Sequence, residues 1–172
     1  MPHSLEKLNS CGREVFVAAL GQIFEHSPWV AEETFDRRPF GDVDSLHEAL
    51  CGTMRSAPAE RKLALVREHP DLAGRLAKAG GLTSSSAREQ SAAGLDRLTP
   101  SEVAEIERLN SAHRVRFGFP FVICARLNAK EAILSAMRAR LGNTPEAELS
   151  TALEEIAKIA RLRLNEAIAK EK

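Results

Sequence analysis

Cysteine and aromatic residues are scarce in this sequence. Its 172 residues include no tyrosine, a single tryptophan and three cysteines. Cys11, Cys51 and Cys124 are odd in number, lie far apart and form no C-x-x-C pair, which argues against a disulfide framework and against a thiolate zinc site. A reducing compartment is therefore expected.

Long apolar runs and a net charge are also missing. No stretch approaches the roughly 18 to 20 apolar residues that span a bilayer, and the first residues lack the basic and apolar regions of a secretory signal. The 24 lysines and arginines are balanced by 24 acidic residues, so no net field attracts nucleic acid. We expect a cytoplasmic protein with neither a membrane nor a nucleic acid partner.

Patterns typical of β-strands hardly occur. Residues 119–125 are the best strand candidate, and one short strand cannot form a sheet by itself. The 44% apolar and 28% charged fractions are those of an ordinary globular chain. The sequence therefore predicts an all-α, single-domain helical bundle of about seven to nine helices that spans residues 1–172.

Capping residues mark several helix starts. Thr99 and Glu102 form a capping box with Pro100 at the first helical position, and this helix is expected to run to about Arg116. Similar patterns predict helix starts at Ser86, Asn128 and Thr144, the last helix reaching about Ala169. Apolar spacing predicts earlier helices over residues 13–26, 29–35, 45–55 and 58–68.

Two stretches, residues 74–86 and the segment around residues 117–121, lack a helical pattern, and loops on a rigid scaffold often carry sites. His69 precedes Pro70, which disfavours helical backbone at His69, so a helix should end there. Histidine titrates near neutral pH, yet single histidines are more often surface or core residues than catalysts. Position alone therefore leaves catalysis by His69 as the minority interpretation.

One arginine of the last helix is predicted to point inward. At 100° per residue, Arg163 falls roughly 40° from Leu149 on the apolar stripe, whereas Arg161 lies roughly 120° away. A buried guanidinium needs a carboxylate of the protein or an anionic ligand. The helix alone favours an ion pair or an arginine that reaches out to solvent, and it leaves the anionic ligand open.

Sequence motifs for metal or nucleotide chemistry are absent. The chain has no H-E-x-x-H, G-x-S-x-G, G-x-G-x-x-G or P-loop pattern, and its five histidines have no metal-ligand spacing. Ser86 and Glu89 are interpreted first as the N-cap and third residue of a helix. A helix N-terminus also offers free N–H groups to a polar ligand, so both roles are compatible.

Four segments in order resemble one known family. They are His69–Gly74, Ser86–Asp96, Leu109–Asn110 and Arg116–Ile123. Together they are similar to the 2-oxo-4-hydroxy-4-carboxy-5-ureidoimidazoline (OHCU) decarboxylases of uric acid breakdown, over nearly the whole chain from about Phe16 to Ile168. The resemblance implies decarboxylation of OHCU to (S)-allantoin and a homodimer. It also implies that neither a metal nor an organic cofactor is needed, because the substrate's own C=N accepts the electrons.

The resemblance also implies the site residues. His69 and Glu89 would be catalytic, and Arg163, preferred over Arg161, would hold the anionic end of the substrate. The other expected substrate-binding residues are Pro70, Ser86, Gln90, Phe119, Phe121, Val122 and Ile123. Two alternatives remain: a non-catalytic helical module that binds a small ureide or purine-derived anion, and a hydrolase in which His69 activates water. His113, where some family members carry tyrosine, is expected to be structural or exposed.

Overall fold

The computed structural model describes residues 2–74 and 79–169, and α-helices dominate these ranges. Within them no strand forms beyond a single bridged pair, His3 and Ile168. The helices are α1 (Leu5–Ser10), α2 (Arg13–Leu20), α3 (Trp29–Thr34), α4 (Val43–Ser56), α5 (Ala59–Arg67), α6 (Ser84–Ala92), α7 (Pro100–Phe117), α8 (Lys130–Arg140) and α9 (Pro145–Ala167). Two short 3-10 turns cover Phe35–Arg37 and Ala125–Leu127. The all-α prediction is confirmed.

The capping box at Thr99 is present as predicted. The Thr99 hydroxyl accepts a hydrogen bond from the Glu102 N–H at 3.2 Å, and the Glu102 carboxylate accepts one from the Thr99 N–H, also at 3.2 Å. Helix α7 ends at Phe117, where Gly118 adopts a left-handed φ of 77°. A residue without Cβ tolerates this conformation, and the chain can therefore turn sharply into the next segment.

Two predicted N-caps are wrong. Helix α6 begins at Ser84 because Thr83 caps it, its hydroxyl accepting from the Ser86 N–H at 3.2 Å, so Ser86 lies inside the first turn. Helix α8 begins at Lys130 after Ala129, because the Asn128 amide instead donates to the Cys124 carbonyl at 3.0 Å. At Ser86 the hydroxyl of a residue three positions earlier provides the cap, whereas the Asn128 side chain bonds a backbone group other than the helix start.

Other boundaries differ more modestly. Helix α2 ends at Leu20 rather than at residue 26, since the chain turns at Gly21 and resumes a helix only at Trp29. Helix α1 was not predicted. Of the predicted loop over residues 74–86, residues 84–86 are helical and residues 75–78 lie outside the described part of the chain.

The chain divides into two compact units. The first comprises residues 1–68 together with residues 157–172, and the second is His69–Ile156. In the first unit Phe16, Leu46 and Leu50 are fully buried core residues. The core of the second unit includes Leu72, Ile106, Leu109, Phe121, Ile123 and Ile133. That residues 1–172 form one domain stays a prediction.

No helix in the described ranges combines the length and the hydropathy that crossing a membrane requires.

Candidate active site

His69 is the first residue of the second unit. Helix α5 ends at Arg67 and Glu68 forms its C-cap, so the helix end predicted from Pro70 is confirmed. The His69 side chain is only 6% exposed, and Pro70 is half-buried. The imidazole is therefore held in a largely water-free place at a helix end.

The turn after Pro70 is held by two amide side chains. The Ala73 N–H donates to the Gln90 side-chain oxygen at 2.9 Å, and the Asn110 amide donates to the Leu72 carbonyl at 3.0 Å. Ala73 has a positive φ of 47°, which costs a non-glycine residue about 1 to 2 kcal/mol. These bonds from α6 and α7 stabilise a strained turn that directly follows His69 and Pro70.

A third contact fixes the same turn. The Arg114 guanidinium donates to both carboxylate oxygens of Asp71, at 3.1 and 3.2 Å. A Cβ on Gly74 would lie 2.8 Å from the Asp71 Cβ, so only glycine fits at the end of the turn. Asn110 Oδ1 is buried without a hydrogen-bond partner among the described residues.

Helix α6 carries three of the predicted site residues on one side. Ser86, Glu89 and Gln90 follow an i, i+3, i+4 spacing, and neighbours at that spacing share a helix face. Ser86 and Gln90 are buried and Glu89 is half-buried. Through Gln90 this face is joined to the turn after Pro70, and α6 also packs against the 3-10 turn Ala125–Leu127.

The segment from Phe119 to Cys124 is a buried loop. The best strand candidate, residues 119–125, forms no strand, in agreement with the all-α prediction: residues 119–124 have no regular secondary structure, and Ala125 opens the 3-10 turn. Phe119, Phe121, Val122 and Ile123 are all less than 9% exposed. Backbone N–H and C=O groups buried in this way need partners, and here side chains supply several of them.

Besides the Asn128 amide on the Cys124 carbonyl, three side chains among the described residues bond this loop. His113 Nδ1 donates to the Phe119 carbonyl at 2.9 Å, since a carbonyl can only accept. Arg140 Nη1 donates to the Val122 carbonyl at 2.8 Å, and Glu155 accepts from the Cys124 N–H at 2.9 Å. Within the described residues, no hydrogen bond uses the N–H groups of Phe121, Val122 and Ile123, so three consecutive donors are unpaired there.

Glu148 lies behind this loop with no solvent exposure. Its carboxylate contacts His113 Nε2 at 2.8 Å and accepts from Arg140 Nη2 at 2.6 Å and from the Asn143 amide at 3.0 Å. Burial acts to raise the pKa of Glu148, but the hydrogen bonds from His113, Arg140 and Asn143 and the charge of Arg140 outweigh burial and lower that pKa below its ordinary value. Glu148 is therefore an ionised carboxylate inside the second unit.

His113 is buried as part of this cluster, so of the two expectations for His113 the structural one holds and the exposed one is wrong. It is 1% exposed, and its ring lies 4.6 Å from the Phe117 ring and 5.7 Å from the Phe121 ring. The Arg140 guanidinium lies over the Phe121 ring at 4.1 Å from its centre. Aromatic rings thus lie against both His113 and Arg140, the two partners of Glu148.

The structure places Arg163 in the first unit, where it is buried as the helical stripe predicted. Its guanidinium pairs with the buried carboxylate of Glu25 at 2.9 Å. Arg161 instead pairs with Asp44, which is 73% exposed. The ion pair that the sequence allowed for Arg163 is therefore present. Whether Arg163 also binds an anion stays a prediction.

Within residues 2–74 and 79–169, no group of three or more His, Cys, Asp or Glu side chains is arranged to hold a metal ion.

The comparison with protein families decides the relationship. The family model for OHCU decarboxylase matches residues 9–165. The chain belongs to the OHCU decarboxylase family. It is 43% identical over 164 residues to the OHCU decarboxylase of Amia calva, covering 95% of this chain and 94% of that protein. It is 41% identical over 168 residues to the OHCU decarboxylase of Haloferax volcanii, covering 98% of each chain.

The chain is also similar to a solved structure. The crystal structure of (S)-allantoin synthase superimposes with a TM-score of 0.79 at 30% identity. The match covers 98% of this chain and 54% of that chain. The described helices therefore follow the fold of that solved structure.

The pairing of Arg163 with Glu25 generates a stability prediction. Arg163→Leu removes the guanidinium from a carboxylate that is 3% exposed, so the free energy of unfolding should fall by about 3 kcal/mol. Arg161→Leu on the same helix is the matched control and should cost less than about 1 kcal/mol, because Asp44 is exposed. Urea unfolding measures both values, and equal losses would contradict the structural role of the buried pair.

The lowered pKa of Glu148 generates a pH prediction. A carboxyl whose folded pKa is depressed stabilises the fold above its unfolded pKa, about 4.3, and this contribution is lost as the pH falls through the folded pKa. Glu148→Gln should therefore lower the free energy of unfolding by about 3 kcal/mol at pH 7 and by much less near pH 3. Exposed Glu146→Gln is the control. A loss for Glu148→Gln that stays constant with pH would refute the assignment.

Proposed function

We propose that this chain catalyses the cofactor-independent decarboxylation of OHCU to (S)-allantoin and CO2, the last step of urate breakdown. The family match over residues 9–165 supports the reaction, as do relatives from two organisms that are named OHCU decarboxylases. The observation that carries the assignment of the site is buried His69, next to a backbone turn held by Gln90 and Asn110.

The substrate supplies its own electron sink. The carboxylate of OHCU lies β to a ring C=N, so the electron pair of the breaking C–C bond flows into that imine while CO2 departs. The pair forms a C=C bond between the carbon that lost CO2 and the ureido-bearing carbon. A proton must then be delivered to one face of the ureido-bearing carbon, which gives a single enantiomer, while the hydroxyl on the carbon that lost CO2 gives up its proton and becomes the ring carbonyl. The protein therefore has to hold the ring, turn the carboxylate out of the ring plane and control one proton transfer.

His69 is the proposed proton-transfer group. It is buried, and exclusion of water strengthens its interactions with a bound carboxylate and hydroxyl. Glu89, one turn along the face formed by Ser86 and Gln90, is proposed to orient the hydroxyl or the ring. Because the Gln90 oxygen already accepts from the Ala73 N–H, the NH2 group of Gln90 is the part proposed to donate to the substrate.

The loop from Phe119 to Cys124 is proposed to bind the urea-like end of the substrate. The N–H groups of Phe121, Val122 and Ile123 have no hydrogen-bond partner among the described residues, and carbonyl oxygens of a ureide are suitable acceptors for such donors. Main-chain donors suit a rigid ring because they cannot rotate away as side chains can. Pro70 and Phe119 are proposed to form apolar walls of the same pocket.

The function predicts a stereochemical result. OHCU made in place from urate by an oxidase and a hydrolase decays spontaneously to racemic allantoin, and circular dichroism follows the product. The protein should accelerate this decay and give only (S)-allantoin. His69→Ala should lower the rate enhancement by about 10²- to 10⁴-fold while far-ultraviolet circular dichroism shows unchanged helicity. His3→Ala, in the first unit, is the control and should retain full activity.

Each outcome of this assay separates the proposals. Racemic product at the spontaneous rate with wild-type protein would reject the decarboxylase, and (S)-allantoin binding without turnover would support the non-catalytic module instead. Accumulation of a ring-opened acid would indicate a hydrolase. Full activity in His69→Ala would remove His69 from the mechanism while leaving the reaction intact.

We also propose a homodimer in the cytoplasm, as the family relationship implies. Analytical ultracentrifugation should give twice the chain mass of 18.8 kDa, and a single-chain mass at assay concentration would reject the dimer. Fractionation of the source cells should place the activity in the soluble cytosolic fraction, and recovery elsewhere would reject that location.

A further inference from the structure

The peptide groups around Ile123 are held from both sides by charged side chains. Arg140 donates to the carbonyl of Val122 at 2.8 Å, and that carbonyl shares its peptide group with the Ile123 N–H. Glu155 accepts from the N–H of Cys124 at 2.9 Å, and that N–H shares its peptide group with the Ile123 carbonyl. Arg140 and Glu155 therefore each bond one of the two peptide groups that flank Ile123.

Because peptide groups are planar, these two bonds fix the orientation of the N–H and C=O groups of Ile123. In a trans peptide the C=O and N–H of the same unit point in opposite directions. Fixing the Val122 carbonyl towards Arg140 therefore aims the Ile123 N–H away from Arg140. Fixing the Cys124 N–H towards Glu155 likewise aims the Ile123 carbonyl away from Glu155. The donor and the acceptor of Ile123 are both oriented, and within the described residues neither is used by another protein group.

Glu148 fixes the orientation of the Arg140 guanidinium. Arg140 donates to Glu148 through Nη2 at 2.6 Å and through Nε at 2.9 Å, while its Nη1 remains for the Val122 carbonyl. A planar guanidinium fixed by two bonds has its third donor direction determined. His113, on the same carboxylate, holds the Phe119 carbonyl at the other end of the loop.

We propose that Arg140 and Glu155 are positioning residues, which aim the N–H and C=O of Ile123 at the ureide part of the substrate, with Glu148 acting through Arg140. A ureide carries both N–H donors and C=O acceptors. The fixed N–H of Ile123 can therefore donate to a ureide carbonyl while the fixed C=O of Ile123 accepts from a ureide N–H. None of the three side chains needs to touch the substrate. The inference rests on the proposed function, because it specifies how the loop in that site is aimed.

Kinetics of matched arginine variants test the donor side. Arg140→Met should lower kcat/KM for OHCU by about 10- to 100-fold, because a misplaced binding group costs that much. Arg140→Lys should restore little, since a lysine cannot bond Glu148 twice and Val122 at once. Arg138→Met is the control: Arg138 lies on the same helix, pairs with Glu105 and is 53% exposed, so kcat/KM should be unchanged. Normal kcat/KM in folded Arg140→Met would overturn the proposal.

A second variant tests the acceptor side and does not depend on the folding of Arg140→Met. Glu155 is half-buried, so Glu155→Leu is expected to fold, and its loss should raise KM more than it lowers kcat because the ring is bound less well in every state. An unchanged KM would overturn the acceptor half of the proposal.

Amide NMR of the wild-type protein tests whether the Ile123 N–H contacts the ligand, which the proposal requires. Titration with (S)-allantoin should shift the Ile123 amide signal and slow its hydrogen exchange, whereas the amide of Cys124, already bonded to Glu155, should shift less. If the enzyme is active but the Ile123 amide signal and its hydrogen exchange do not change with (S)-allantoin, this inference is wrong and the decarboxylase function is unaffected. Failure of wild-type protein to accelerate OHCU loss would instead reject the proposed function.

Discussion

The ionised carboxylate of Glu148, buried without solvent contact, organises the loop of the second unit. Removing such a charge from water costs several kcal/mol, so Glu148 remains ionised only because cationic and amide donors surround it. Those donors are immobilised by the same bonds, and two of them hold carbonyl groups of the loop from Phe119 to Cys124. Buried backbone that lacks regular secondary structure would otherwise contain unmet polar groups. The side chains that neutralise this one charge therefore also supply hydrogen bonds to the loop backbone, which in a sheet would come from neighbouring strands.

Much of the helical fold follows from local sequence, and the departures have local causes. The capping box of Thr99 depends only on residues three apart, and it forms as predicted. At Ser86 the same reasoning failed because Thr83 offers an equivalent hydroxyl three residues earlier. Residues 119–125, the best strand candidate, have suitable β-branched and aromatic residues, but no neighbouring strand exists within the described ranges, and side chains bond the backbone instead.

The site was less accessible from sequence than the fold. His69 and the α6 residues are found through the ordered resemblance, and the end of α5 at His69 follows from Pro70. The pairing of His113 with Glu148 spans 35 positions and has no periodicity, so no local pattern could reveal it. One signal was available: Glu148 lies four residues before fully buried Ala152, on the same side of α9, and a carboxylate there requires a partner.

The mutual hydrogen bonds of Glu148, His113 and Arg140 also limit which substitutions these three positions can accept one at a time. Losing any one member deprives a buried charged or polar partner of its main contact, so each single replacement is less stable than either the full set or an apolar set of similar volume. The three positions are thereby tied into one evolutionary unit, although they lie on three different helices. A replacement at one of the three positions therefore keeps the loop in place only if the new side chain still bonds the buried carboxylate and the loop carbonyl.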